Sequence, residues 1–356
     1  MRFNASLRSL LILLLTHCLS SPLLAADPAP SAAAVSALAQ YSGADRQQRL
    51  IDGARREGEL TLYTSLTQED MAIINGAFEK KYGVKVKMWR AGADKVLQRA
   101  VTEASANRFD VDVMEAGTPA LEALHREKLL VAVKSPHHAD LMPQAVPAHY
   151  EWAGSRLNVF VHAYNTNLIK KEALPKTYQD LTDPKWQGKL GIEFSDEDWF
   201  AMLVRDMGEE KGLKLFRDIR AANGMSVRKG HTLLTNLVAS GEVPFALTVY
   251  NFTAEQTKQK GAPLDWFVMS PAIARANGLA VARRAPHPHA ALLYYDFMIS
   301  EDGQQILAKR DFVTTSSKIA SPMGKTPLKL VDPSFMLDES EKWTRLYDDV
   351  VIKGKK

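Results

Sequence analysis

The spacing of apolar positions changes period repeatedly between Glu59 and Gly117. Leu60 and Leu62 alternate as in a half-buried strand, whereas Met71, Ile74 and Phe78 recur at helical spacing. Val84 and Val86 open a second strand, Val96, Leu97, Ala100, Val101 and Ala104 mark a second helix, and Val111 and Val113 close with a third strand. This βαβαβ pattern predicts an α/β fold with a mostly parallel sheet and ligand chemistry at the carboxyl ends of its strands. Two later β-like runs, Leu157–Asn165 and Asn277–Ala282, are spaced to carry the chain out to a second lobe and back. A pair of such crossings makes a two-strand hinge with a ligand cleft between the lobes. A chain of this length exceeds what one core usually serves, which also favours two lobes.

The expected organisation is a signal peptide over 1–26, a leader and first helix over 27–56, and lobe 1 over 57–158. Lobe 2 spans 159–276, lobe 1 resumes over 277–330, and a helical tail occupies 331–356. Arg2 and Arg8 precede the apolar run Leu10–Leu15, and Leu24-Ala25-Ala26 supplies small residues for cleavage. The run is too short for a membrane span, which needs about 20 residues. Cys18, the only cysteine, lies inside this segment, and His17 before it does not fit a lipid-attachment site, so the mature chain is expected to fold without disulfides. Asp27–Ala39 is rich in Ala, Pro and Ser and reads as a mobile leader, followed by a helix over Tyr41–Arg56. Without the signal, 43 basic residues face 41 acidic ones, and no basic cluster interleaved with aromatics suggests nucleic acid.

Turns that follow predicted strands supply the candidate site. After the first strand, Ser65-x-x-Gln68 and Thr67-x-x-Asp70 both fit a capping box, with hydroxyls and free N–H groups at the sheet edge suited to a polar or anionic ligand. The third strand ends at Glu115-Ala116-Gly117, with Thr118 as helix cap and Pro119 behind it. In the second lobe, Glu193-Phe194-Ser195-Asp196-Glu197-Asp198-Trp199 combines four acids with Ser195 as a candidate cap. Arg228-Lys229-Gly230-His231-Thr232 opens a further helix and invites an anion, and Tyr250-Asn251 ends a strand as small-molecule pockets use such residues. The predicted ligand set is Ser65, Thr67, Glu115 and Gly117 on one side, and Asp198, Trp199, His231, Thr232, Tyr250 and Asn251 on the other.

Other histidines read more plainly. His137-His138 sits in a polar loop and is assigned to solvated surface, and His287 and His289 flank Pro288 at a helix start. The sequence has no Gly-x-Ser-x-Gly, no His-x-x-x-His and no phosphate loop, so no catalysis and no resident cofactor are expected. An enzyme is the remote alternative.

The phrases Ala285-Pro286-His287-Pro288-His289-Ala290, Tyr295-Asp296-Phe297 and Ser300-Glu301-Asp302-Gly303-Gln304, with Gly241-Glu242-Val243-Pro244 and Lys260-Gly261-Ala262-Pro263, give the chain a family likeness. From about Glu57 to Ala320 it resembles the periplasmic solute-binding proteins of ABC importers, in the type II branch related to ferric-ion-binding proteins. The resemblance implies a periplasmic-binding-protein-like fold, a monomer, no catalysis, and delivery of a small polar or charged solute to an inner-membrane permease. A sensor as the partner would use the same fold. Ferric-binding relatives present a histidine after the first strand, a glutamate after the third and a tyrosine pair in the second lobe. Here those neighbourhoods read Thr67, Ala116 beside Glu115, and Tyr250 followed by Asn251-Phe252, while Tyr294-Tyr295 falls in an apolar helix. An organic solute is therefore the first expectation. Ferric iron or a ferric chelate, held by Tyr250, Glu193 and Asp198, is the alternative.

Overall fold

A computed structural model describes residues 30–354; the signal segment expected over 1–26 lies outside the described residues. The chain opens with α1 (Ala32–Gln40) and α2 (Arg46–Glu57). The first α/β run follows as β1 (Glu59–Thr64), α3 (Gln68–Tyr82), β2 (Lys85–Arg90), α4 (Ala93–Ser105), β3 (Val113–Gly117) and α5 (Thr118–Arg126). β4 (Ala153–Asn165) leads to β5 (Leu190–Glu193), α6 (Glu197–Met207), α7 (Glu209–Asn223), β6 (Ser226–Arg228) and α8 (His231–Ser240). Next come β7 (Phe245–Tyr250), α9 (Asn251–Gln259), β8 (Leu264–Phe267) and β9 (Ala272–Val281). The chain ends through α10 (Pro288–Ile299), α11 (Glu301–Ala308), β10 (Val313–Thr314), β11 (Leu328–Leu330), α12 (Pro333–Asp338) and α13 (Ser340–Tyr347).

The strand order β2-β1-β3-β9-β4-β7-β5-β6 contains two parallel patches. β1 pairs parallel with β2 and β3, and β5 pairs parallel with β6 and β7. Between them, β4 and β9 run antiparallel to each other. The first half of β4 pairs with β9, and its second half with β7 and β8; β9 in turn reaches β3. These are the two crossings expected from the sequence. All 13 residues of β4 are buried, as a strand covered on both faces requires.

Two local expectations change. Residues 32–40 of the leader form a capped helix rather than a mobile stretch: Ser31 Oγ accepts from the Ala34 N–H, and Val35 and Ala39 enter the core. Alanine-rich sequence is a strong helix former, and here an apolar face rewards the helix with burial. His138 is not solvated surface either, since its Nε2 meets the buried Tyr295 hydroxyl at 2.9 Å and burial lowers its pKa to about 4. Tyr294 and Tyr295 are fully buried in α10, as their apolar neighbours suggest.

The tail bridges both halves. α12 lies against α5, where Arg126 pairs with Asp338 at 2.6 Å and Ser334 Oγ donates to Glu122. α13 packs on α6, with Phe200 against Trp343 and Tyr347, and Lys342 reaches Glu209 at 2.6 Å.

Candidate functional site

A cavity of about 850 Å³ opens between the two patches. Turns at the carboxyl ends of β1, β2 and β3 bring Ser65, Thr67, Arg90 and Gly117 to one wall. The turns before α6 and α8 and the end of β7 bring Glu197, Asp198, Lys229, His231, Thr232 and Tyr250 to the other. Arg156 and Asn158 of β4 and Arg275 and Asn277 of β9 also line it, as do Met336, Leu337, Ser340 and Thr344 of the tail.

Arg275 organises the centre. It donates through Nη1 to Asp198 at 2.9 Å and through Nη2 to the Tyr250 hydroxyl. The Tyr250 ring in turn lies 3.6 Å, centroid to centroid, from the His231 ring. Burial raises the pKa of Asp198, with Arg275 opposing it, and burial likewise pushes the Tyr250 phenol up. Burial, then the charge of Asp198, raises Glu197 to about 7. The ion pair therefore sits in a setting where an uncompensated carboxylate prefers a proton.

Ser65, Thr67, Gly117, Asp198, His231, Thr232 and Tyr250 all border the cavity. Thr67 is the cap of α3, its Oγ1 accepting from the Asp70 N–H at 3.2 Å and donating to Asp70 Oδ2 at 2.6 Å. The other predicted residues do not line the cavity. Glu115, 1 % exposed, accepts from Thr64 Oγ1, from the Ser65 and Leu66 N–H groups at 3.2 and 3.3 Å, and from Arg156 Nη1. The N–H groups read as free for a ligand thus carry this buried carboxylate, which needs donors of its own. Trp199 points into the core, 6.0 Å from the Tyr178 ring and 5.7 Å from Phe216. Its neighbour Asp198 faces the cavity, and residues adjacent in a helix point about 100° apart. Asn251 accepts from the Val159 N–H and donates to the Asp311 carbonyl, tying α9 to β4. Asp196, not Ser195, occupies the cap position of α6.

In the alternative set Tyr250, Glu193 and Asp198, the Arg275 guanidinium donates to both Tyr250 and Asp198. Glu193 instead accepts from the Ser195 and Gly230 N–H groups. Arg275, Arg156, Asn158 and Asn277 escaped the sequence reading. Their signal was present: polar side chains two apart within the apolar crossings Arg156-Leu157-Asn158 and Arg275-Ala276-Asn277, which face one side of a strand.

A cleft between two parallel patches joined by antiparallel crossings defines a two-lobed periplasmic binding protein of type II. The chain belongs to the bacterial extracellular solute-binding proteins, whose pattern it matches over residues 76–327. It is 25% identical to iron uptake protein A1 of Synechocystis, over 78% of this chain and 81% of that one. It is also 25% identical to the Fe(3+)-binding periplasmic protein of Serratia marcescens, over 65% and 70%. Iron-bound HitA from Pseudomonas aeruginosa superposes with a TM-score of 0.71 at 26% identity, covering 82% of this chain and 99% of HitA.

Proposed function

We propose that this chain is a periplasmic, monomeric component of an ABC importer that captures a small organic anion bearing a carboxylate or phosphoryl group. Lobe 1 is taken as 57–158 with 277–330 and lobe 2 as 159–276, the signal over 1–26 being removed on export. The carrying observation is the charge of the cleft. Arg90, Arg156, Lys229 and Arg275 line it against Asp94, Glu197 and Asp198, and Glu197 is held near pH 7 in its titration. The buried Nε atoms of Arg156 and Arg275 have no acceptor among the described residues. Ser65, Thr67 and Gly117 across from Lys229, His231, Thr232 and Tyr250 give an anion partners on both walls, so closure follows from tighter binding to the closed form.

Ferric iron is the second reading, favoured by the names of the relatives. Ferric iron needs several hard oxygen anions. Among the described residues, Tyr250 is the one tyrosine of the cavity, and its hydroxyl already accepts from Arg275. The test is a thermal-shift and calorimetric screen of ligand-stripped protein against carboxylates, sugar phosphates, phosphonates and ferric citrate. An anion at 100 times its Kd is expected to stabilise by about 2.7 kcal/mol, with affinity reduced in Lys229→Met. Stabilisation by ferric iron alone, unchanged in Lys229→Met and lost in Tyr250→Phe, overturns the anion reading.

A further inference from the structure

Behind the His231–Tyr250 ring pair, the turn between β5 and α6 holds a charge arrangement of which the solute site reaches only His231. Glu193, Asp196 and His231 each direct one ligand-type atom to a common point, all within 4.8 Å of one another. Asp196 is 0 % exposed, and neither carboxylate oxygen has a hydrogen-bond donor among the described residues. The nearest polar group facing it is His231 Nε2, 3.2 Å away. Glu193 is buried beside it and satisfied in part by the Ser195 and Gly230 N–H groups. Two buried carboxylates and one imidazole leave a deficit of positive charge, and an isolated buried carboxylate is costly. Among the described residues His231 Nδ1 has no hydrogen-bond partner, so Nδ1 can carry the proton while Nε2 offers its lone pair.

We propose that Glu193, Asp196 and His231 bind a divalent cation of the zinc type, one imidazole nitrogen and two carboxylate oxygens serving as its protein ligands. This donor set suits zinc, which accepts His and carboxylate ligands and with three of them keeps a position for water. A divalent charge also neutralises both carboxylates, which His231 alone does not. Because His231 stacks on Tyr250, the cation would fix the wall of the solute cleft without touching Arg275. The inference is independent of which solute the cleft takes.

The test uses the full, untagged, exported chain, stripped with chelator and titrated with ZnCl₂ by calorimetry, with metal content read by mass spectrometry. One equivalent is expected to bind. Asp196→Asn, which keeps the side-chain shape, and His231→Gln, whose native side chain is 14 % exposed, should each weaken binding by at least about 100-fold, beyond the 10–100-fold typical of outer-sphere partners. Lys229→Met should leave the zinc affinity unchanged while lowering solute affinity, which separates this inference from the solute reading. His125→Gln serves as control for the other group of metal-type side chains among the described residues, Glu122, His125 and His149. Absence of zinc binding in the parent chain, or binding retained in both Asp196→Asn and His231→Gln, or lost only in His125→Gln, overturns the proposal.

Discussion

Replacing Arg275 by Met removes the guanidinium that holds Asp198, and the cost follows from the burial of the partner it leaves behind. The Asp198 side chain is 6 % exposed and the Arg275 side chain 22 %. Breaking a buried ion pair by deleting one member costs about 3–5 kcal/mol, because the survivor stays desolvated without compensation. Arg275 retains some solvent contact, which points to the lower end, about 3 kcal/mol. The carboxylate can relieve the cost by taking up a proton, so the loss should be larger at pH 7.5 than at pH 5. Urea unfolding of ligand-free protein at both pH values measures this. Adding Asp198→Asn to Arg275→Met removes the stranded charge and should recover most of the stability, while solute binding stays lost in both variants. A single substitution costing under about 1 kcal/mol, or a double variant as unstable as the single, would refute the reasoning.

Two further outcomes follow from burial. Trp199→Ala should destabilise the protein by about 3–5 kcal/mol, as truncation of a fully buried aromatic does. Solute affinity, measured by calorimetry below the shifted melting temperature, should stay within about threefold, because the ring packs on Tyr178 and Phe216 rather than on the cavity. His162 donates from Nδ1 to the Leu247 carbonyl and meets the Tyr178 hydroxyl at Nε2, and burial lowers its pKa from 6.5 to about 4. With the folded pKa below the unfolded one, the unfolded chain protonates first, so this stability is complete above pH 6.5 and is lost as pH falls toward 4. His162→Gln should flatten the pH dependence in that window by up to about 1.4 kcal/mol per pH unit, and an unchanged slope counts against it.

The frame of the fold was legible because its periodicities are local. Met71, Ile74 and Phe78 mark a helix face within one helix, and the β-like run Leu157–Asn165 needs no distant residue to be recognised. Tyr294 and Tyr295 were readable as core for the same reason. The site was less legible because its chemistry depends on partners far apart in sequence. Glu115 looks like a ligand residue until Arg156 arrives from β4 and the β1 turn folds onto its carboxylate. Asp198 and Trp199 are adjacent in sequence, and only the helix orientation decides which one enters the cleft. Arg275 lay just before the run Asn277–Ala282 read as the second crossing, although its two-residue spacing from Asn277 gave a usable sign.

The tail adds a constraint on how the lobes move. β4 and β9 cross at the floor of the cleft, and the chain crosses a third time between α12, seated on α5, and α13, seated on α6. A two-strand hinge would leave one half free to swing and twist. With this leash in place, opening must be absorbed largely at Asp338–Ser340, the short junction between the two helices. The accessible motion is thereby reduced toward a single arc whose amplitude is set by how far that junction can extend. Met336, Leu337, Ser340 and Thr344 wall the cavity along the same segment, so the leash is also part of the cleft surface.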